Sequence, residues 1–131
     1  MMRCFFFAVF LVVACATGAA AGPREDTDSA YERRDYALAA RLFRPLAEQG
    51  DAWAQGKLGQ MYARGQGAPQ DFVRAYMWYN VSAGAVSVDE RKAAMKKRRR
   101  DDMASQMTAT QIEKAQEMAR RCQATKFKEC D

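Results

Sequence analysis

Residues 65–71 (GQGAPQD) form a glycine-rich connection between two aromatic-rich segments, and such connections can bind phosphate. A phosphate loop requires the spacing G-x-x-x-x-G-K-S/T between a strand and a helix. Here the spacing differs, the preceding segment has a helical pattern, and Asp71 occupies the start of the next helix, where its charge would repel an anion. The segment therefore predicts a tight corner between packed helices, with positive φ angles at Gly65 and Gly67.

The chain contains no histidine, which limits the chemistry that it can perform. Without histidine, Ser-His-Asp and Cys-His nucleophiles and the usual zinc sites are excluded. The acidic segment 25–28 lacks the glycine and the distal glutamate of a calcium loop, and no serine lies in a nucleophile motif. We therefore predict a protein without enzymatic activity, cofactor or metal, whose function is binding.

Residues 1–21 have the composition of a signal peptide. A basic start precedes an apolar run, too short to span a membrane, and then a group of small residues. Cleavage after Ala21 would leave a mature domain of residues 22–131. A second route is open, because residues 12–15 (VVAC) resemble a bacterial lipobox, in which Cys15 would carry a lipid. Either route predicts export to the periplasm or beyond.

Cys122 and Cys130 remain after removal of the leader, in the segment CQATKFKEC. In an oxidising compartment, two cysteines so close in sequence are more typical of a disulfide than of a metal site. Two thiolates without histidine also make a poor tetrahedral zinc set. We therefore predict a disulfide that ties the tail, residues 122–131, to the end of a helix.

The formal net charge is +5, and much of it lies in one basic run within a predicted helix over residues 88–106. The run consists of Lys96, Lys97, Arg98, Arg99 and Arg100. Outside the cytosol, the counterparts of such a run are anionic lipid headgroups or an acidic partner rather than nucleic acid. The alternative is a solvated helix face, because Asp101 and Asp102 lie four residues after Lys97 and Arg98. The sequence leaves both interpretations open.

Capping signals divide residues 29–123 into regular helical segments. No sustained two-residue alternation follows the leader, so the predicted fold class is all-α, with five to six helices. Acidic N-caps precede three segments, and capping-box patterns precede two more. The predicted starts are Asp35, Asp51, Asp71, Ser87 and Thr108. We expect residues 22–29 to be frayed at their start and Pro45 to kink its helix or loosen the preceding turn.

A spacing of 36 residues relates residues 35–48 to residues 71–84. Acidic caps, aromatic or aliphatic positions and alanines recur together, as expected for stacked helical hairpins that cannot bury their apolar faces alone. Residues 52–87 closely resemble the Sel1-like repeat, a relative of the tetratricopeptide repeat. The signature positions are Ala54, Leu58, Gly59, Tyr62, Gly65, Gly67, Asp71, Ala75, Trp78, Tyr79 and Ala83.

The resemblance implies one domain over residues 22–131, a short stack of about three antiparallel helical hairpins. Residues 35–51 resemble the second helix of a preceding unit, and residues 88–123 resemble the closing helices of short exported bacterial members. A glycine in the middle of a helix, such as Gly59, lowers helix stability. Its presence is best explained by another helix that crosses close to its backbone. The resemblance also implies that the protein binds other proteins.

The predicted partner-binding face lies on the helix over residues 52–64, opposite Leu58. It comprises Trp53, Lys57, Gln60 and Arg64. An exposed tryptophan with basic neighbours is typical of a binding hot spot, and the alternative is that the preceding hairpin covers it. The predicted function is an adaptor for an unidentified protein or peptide in the bacterial cell envelope. The alternative is a peripheral binder of membranes or envelope polymers that acts through helix 88–106.

Overall fold

The computed structural model describes residues 22–131, so the predicted leader lies outside the described residues. The described chain forms six helices and no strand, which confirms the all-α prediction. The helices are α1 (Pro23–Glu32), α2 (Tyr36–Glu48), α3 (Ala52–Arg64), α4 (Phe72–Gly84), α5 (Glu90–Ala104) and α6 (Ala109–Ala124). None of these six is both long and apolar enough to cross a membrane.

Four of the five predicted N-caps are confirmed, because their side chains accept hydrogen bonds from amides in the first helical turn. They are Asp35, Asp51, Asp71 and Thr108. The cap predicted at Ser87 is wrong. The Ser87 hydroxyl instead donates to the carbonyl oxygen of Asp89, and the Asp89 carboxylate caps α5. A carboxylate at this position accepts from two amides at once, so the helix begins at Glu90.

Two local expectations concern the first hairpin. α1 begins at Pro23, so the segment expected to be frayed is helical almost from its first residue. Proline fits this position because it has no amide hydrogen to leave unpaired. Thr27 and Ala30 point inward and are fully buried, which explains why the polar segment is ordered. α2 continues through Pro45 to Glu48, so the proline does not end its helix.

α4 is the central helix of the fold. It packs against α3, α5 and α6, while α2 packs between α1 and α3. Phe43, Met77 and Trp78 are fully buried in the larger core. A second cluster on α4 includes Tyr79, and Met103 of α5 packs into it. The signature positions therefore supply much of the core that α3 and α4 share.

Two signature glycines permit close contacts. A Cβ at Gly59 would lie only 2.7 Å from Cδ1 of Tyr79 on α4, so the predicted helix crossing is confirmed. Gly67 has a φ of +75°, and a Cβ there would lie 2.5 Å from the carbonyl oxygen of Tyr36 at the start of α2. Gly65 also has a positive φ, of +66°. The glycine-rich connection is thus a packed corner that rests on the preceding hairpin.

Candidate binding surfaces

The predicted partner-binding face lies on α3, and α1 approaches it. The indole of Trp53 is half-buried and packs edge-to-face on Phe43, with 5.2 Å between ring centroids. The guanidinium carbon of Arg24 lies 5.1 Å from the centre of the Trp53 ring. Arg24 also forms an ion pair with Asp51, the α3 cap. The preceding hairpin therefore covers much of Trp53.

Two more residues of this face contact Tyr31 of α1. The ammonium of Lys57 lies 4.8 Å from the centre of the Tyr31 ring, and the side-chain amide of Gln60 donates to the Tyr31 hydroxyl at 3.1 Å. The Tyr31 hydroxyl donates in turn to Gln66 at 2.9 Å. Arg64, near the end of α3, is exposed. Three of the four predicted residues thus have partners within the chain, and the binding role of the face stays a prediction.

The basic run lies on α5, which buries only Met103. Lys97, Arg98 and Arg99 are exposed, whereas Lys96 and Arg100 are half-buried. The ion pairs that the sequence suggests are partly present. Arg98 lies 3.8 Å from Asp102, and Arg100 pairs instead with its neighbour Asp101 at 2.8 Å. The Arg98–Asp102 pair is exposed, so it contributes little to stability, and the exposed cations Lys97, Arg98 and Arg99 remain accessible.

Apolar side chains accompany the cations. Val86 and Val88, in the connection before α5, are fully exposed, and Met95 on α5 is 52% exposed. Val88 directly precedes the Asp89 cap, so it lies at the N-terminal end of the helix that carries Met95. The surface therefore combines positive charge with exposed apolar groups, a combination that the sequence analysis did not identify.

The structure also brings together a cluster that the sequence analysis missed. Arg44 of α2 and Arg74 of α4 both approach the carboxylate of Asp131. Arg44 forms a direct ion pair with Oδ2 of Asp131, and Nε of Arg74 lies 3.4 Å from Oδ1. One carboxylate thus joins two helices that belong to different hairpins.

Each arginine has a second anchor. Arg44 donates to the Tyr62 hydroxyl at 2.9 Å and lies over the Trp78 ring at 5.7 Å. Arg74 donates to the α4 cap, Asp71, at 2.8 Å and lies 5.9 Å from the centre of the Tyr62 ring. These contacts, none of which involves Asp131, hold both guanidinium groups beside the Tyr62 side chain.

The local electrostatics keep this cluster ionised. Burial lowers the pKa of Arg44, but the charge of Asp131 and the hydrogen bonds to Asp131 and Tyr62 raise it by more, so the net pKa is raised. Burial raises the pKa of Asp71, but the hydrogen bonds from Arg74 lower it by more, so the net pKa is lowered. The arginines and Asp71 are therefore charged at neutral pH.

The tail positions Asp131. Cys122 and Cys130 form a disulfide, as predicted, and both residues are buried. Between them the chain turns back, with the Phe127 amide donating to the Cys122 carbonyl at 2.7 Å. The Phe127 ring packs against the core beside Gly50, at the end of α2. The tail is thereby fixed across the ends of α2 and α6, and Asp131 follows directly.

An open cleft adjoins the arginine pair. It has a volume of about 530 Å³ and lies between α2, α3 and the corner that leads into α4. Its apolar lining includes Ala37, Ala40, Leu58, Met61 and Tyr62. Arg41 and Arg44 border it, so Arg44 and Tyr62 belong both to the cleft and to the carboxylate cluster.

Comparison with known proteins identifies the first two hairpins. The protein-family model of the Sel1 repeat matches the chain over residues 22–51 and 54–84. The first match spans α1 and α2, and the second spans most of α3 and all of α4, so each repeat is one hairpin. A search of the curated proteins and a search of the solved structures found no match. The segment from α5 onward lies outside both repeats.

Proposed function

Because the chain is a Sel1-like repeat protein, we propose that it is an exported, non-enzymatic adaptor that binds a protein or peptide in the cell envelope. Sel1 repeats generally mediate protein–protein interaction. The signal-peptide composition of residues 1–21 and the disulfide between Cys122 and Cys130 support an oxidising location outside the cytosol.

The cleft between the two repeats is the observation that carries this proposal. Its volume of about 530 Å³ lies within the range of ligand-binding pockets, and its lining is mostly apolar with a few polar groups at the edge. It is formed by the second helix of one repeat and the first helix of the next. By contrast, the α3 face around Trp53 already has partners on α1.

Blocking the cleft tests the proposal. Ala37 lines the cleft but is exposed, so Ala37→Trp should fill the opening without disturbing the core. Ala94, exposed on α5, gives the matched control Ala94→Trp. We expect cross-linking in envelope extracts, followed by mass spectrometry, to identify a protein that the native chain and Ala94→Trp capture and Ala37→Trp loses. If the native chain captures no protein specifically, the adaptor function fails. If Arg64→Ala removes capture and Ala37→Trp does not, the α3 face is the binding surface.

Export is tested separately. The intact mass of the chain purified from its host should correspond to a protein that begins at Gly22 or carries a lipid on Cys15. A mass that includes the whole of residues 1–21 would contradict both routes.

The surface of α5 supports a second candidate function, binding to anionic lipid or to an envelope polymer. The favouring observation is that Met95 on α5, and Val86 and Val88 in the connection before it, are exposed in the segment that also carries the cations. Basic residues with apolar neighbours bind a membrane interface by charge and by shallow insertion. Sedimentation with vesicles that contain anionic lipid, at low and high salt, tests this function. Binding that is strong at low salt and weak at high salt supports it, and no binding at low salt contradicts it.

A further inference from the structure

The carboxylate of Asp131 occupies a position between two arginines that belong to different repeats. We propose that Arg44 and Arg74, with the adjoining cleft, form a binding site for a peptide segment in which an apolar residue lies next to Asp or Glu, and that Asp131 is a built-in competitor for this site. The inference rests on the proposed adaptor function and specifies its partner and its site.

The arginines have contacts that do not involve Asp131. Arg44 also contacts Tyr62 and Trp78, and Arg74 also contacts Asp71. A guanidinium group that is already held in place loses little freedom when it binds a carboxylate, and its planar array of donors matches the two carboxylate oxygens. A second carboxylate could therefore replace that of Asp131 without rearrangement of the helices.

The charge around the site favours an acidic ligand. Arg44, Arg74 and the nearby Arg41 carry three positive charges, and Asp71 carries one negative charge. Asp131 supplies the second carboxylate and leaves the group positive. An incoming Asp or Glu that displaces Asp131 therefore restores the same balance, whereas a basic ligand would leave the arginines unpaired and be repelled.

The cleft requires an apolar residue next to the acidic one. Arg44 and Tyr62 line both the cleft and the carboxylate position, so the two subsites are adjacent. A carboxylate on Arg44 would place the neighbouring side chain of an extended peptide near the opening of the cleft, whose accessible apolar lining includes Ala37, Ala40 and Tyr62. Burial of that side chain would supply binding free energy that the tail does not provide, because no tail residue lines the cleft.

Asp131 is suited to be displaced. Its side chain remains 35% exposed, and the tail that carries it is held by the disulfide and by Phe127 rather than by Asp131 itself. A competitor of this kind lowers the apparent affinity by the fraction of time that it occupies the site. Removal of its charge should therefore increase the affinity for acidic peptides while the fold is retained.

Matched peptides and matched variants test the inference. The probes are acetylated, amidated octapeptides in which Leu, Phe or Met precedes Asp, each paired with the same peptide carrying Asn. Asp131→Asn should bind the Asp peptides roughly tenfold more tightly than the native chain, as expected for loss of a charge-assisted hydrogen bond to a competitor. Glu129→Gln changes the net charge equally on the same tail, and Glu129 forms no ion pair among residues 22–131, so it should bind as the native chain does.

The role of the arginines is tested in the Asp131→Asn variant, in which the competing charge is absent. Adding Arg44→Gln to Asp131→Asn should remove the tenfold gain, and adding Arg98→Gln on α5 should not. Equal binding of Asp and Asn peptides, or an equal gain from Glu129→Gln, would overturn the inference and leave Asp131 only as an ion-pair partner of the two arginines. If Asp131→Asn does not fold, Arg44→Gln alone decides: loss of the preference for Asp peptides supports the site, and its retention overturns it.

The outcomes distinguish failure of the proposed site from failure of the adaptor function. If an envelope protein is captured normally by Arg44→Gln, the site is wrong and the adaptor function stands. If the peptides discriminate as expected and no envelope protein is captured, the adaptor function fails and the carboxylate site stands.

Discussion

α5 and α6 follow the two Sel1 repeats and both pack on α4, yet they bury very different surfaces. α6 buries four residues, and its last turn is tied by the disulfide. The four are Ala115, Met118, Ala119 and Cys122. α5, of similar length, buries only Met103.

The difference follows from which residues occupy the inward positions. In α6 the inward residues recur at spacings of three and four, and each is small or apolar. In α5 the half-buried positions along the same kind of stripe include Lys96 and Arg100, whose aliphatic stems can contact α4 while their charges stay in water. A helix such as α5, with charged residues at its half-buried positions, presents an accessible surface but adds few side chains to the core. We therefore infer that α6 closes the stack, whereas α5 is the helix available for contacts outside it.

The largest expected effect compares two methionines. Met118 of α6 is 9% exposed, and Met95 of α5 is 52% exposed. Met118→Ala should lower the free energy of unfolding by roughly 2–4 kcal/mol because it leaves a cavity in the core. Met95→Ala should change it by less than about 0.5 kcal/mol. Urea denaturation measures both, and similar losses would mean that α5 is packed as firmly as α6. Met103→Ala should resemble Met118→Ala, since Met103 is the buried anchor of α5.

Removal of the disulfide should destabilise the end of α6 and leave α5 unchanged. Replacing Cys122 and Cys130 together by Ala removes a cross-link across a sequence separation of eight residues and should lower the free energy of unfolding by roughly 2–3 kcal/mol. Hydrogen exchange should speed up in the last turn of α6 and in the tail. The amides of α5 should exchange as in the native chain. Unchanged exchange in α6 would contradict the role of the tail as its anchor.

Two glycines of α3 extend the comparison to the helices that face them. A Cβ at Gly59 would lie 2.7 Å from Tyr79 of α4, whereas a Cβ at Gly56 would lie 3.4 Å from Ser82 and 3.8 Å from Arg99 of α5. Gly59→Ala should therefore lower the free energy of unfolding by about 1–2 kcal/mol, because the ring must shift. Gly56→Ala should raise it by up to about 1 kcal/mol, because alanine is the better helix former. Thermal unfolding distinguishes the two, and a loss at Gly56 would show that α5 is closer to α3 than its exposure suggests.

Much of the fold is predictable because its determinants are local. Aspartate caps, the capping box at Thr108 and the glycines of the corner act within a few residues, so their types and spacing are sufficient. The cap of α5 was predicted wrongly because Ser87 and Asp89 both fit a start signal, and only the packed structure decides which one accepts the amides.

The candidate sites are less predictable because they depend on distant pairs. Arg74 follows Asp71 by three residues, so that pair is readable from the sequence. Arg44 and Asp131 are separated by 87 residues, and no periodic pattern connects them. Likewise, the sequence shows the face that contains Trp53, but only the position of α1 shows that Arg24 covers the ring. A surface defined by one helix is visible in a sequence, and a surface defined by the stacking of several is not.

The smallest expected effect on stability, and the most informative one for function, is on α5. Lys97, Arg98 and Arg99 are exposed, so their joint replacement by Glu should change the free energy of unfolding by less than about 0.5 kcal/mol. A matched variant replaces Arg33, Arg34 and Arg120 by Glu. These arginines are exposed on other parts of the surface, so the net charge changes equally. If α5 binds anionic lipid, the first variant should lose vesicle binding and the second should keep most of it, because local charge density beside Val88 and Met95 matters more than total charge. Equal losses would show attraction by net charge alone. No loss in either variant, with capture of an envelope protein intact, would remove the lipid candidate and leave α5 as a solvated helix next to repeats that bind through the cleft between them.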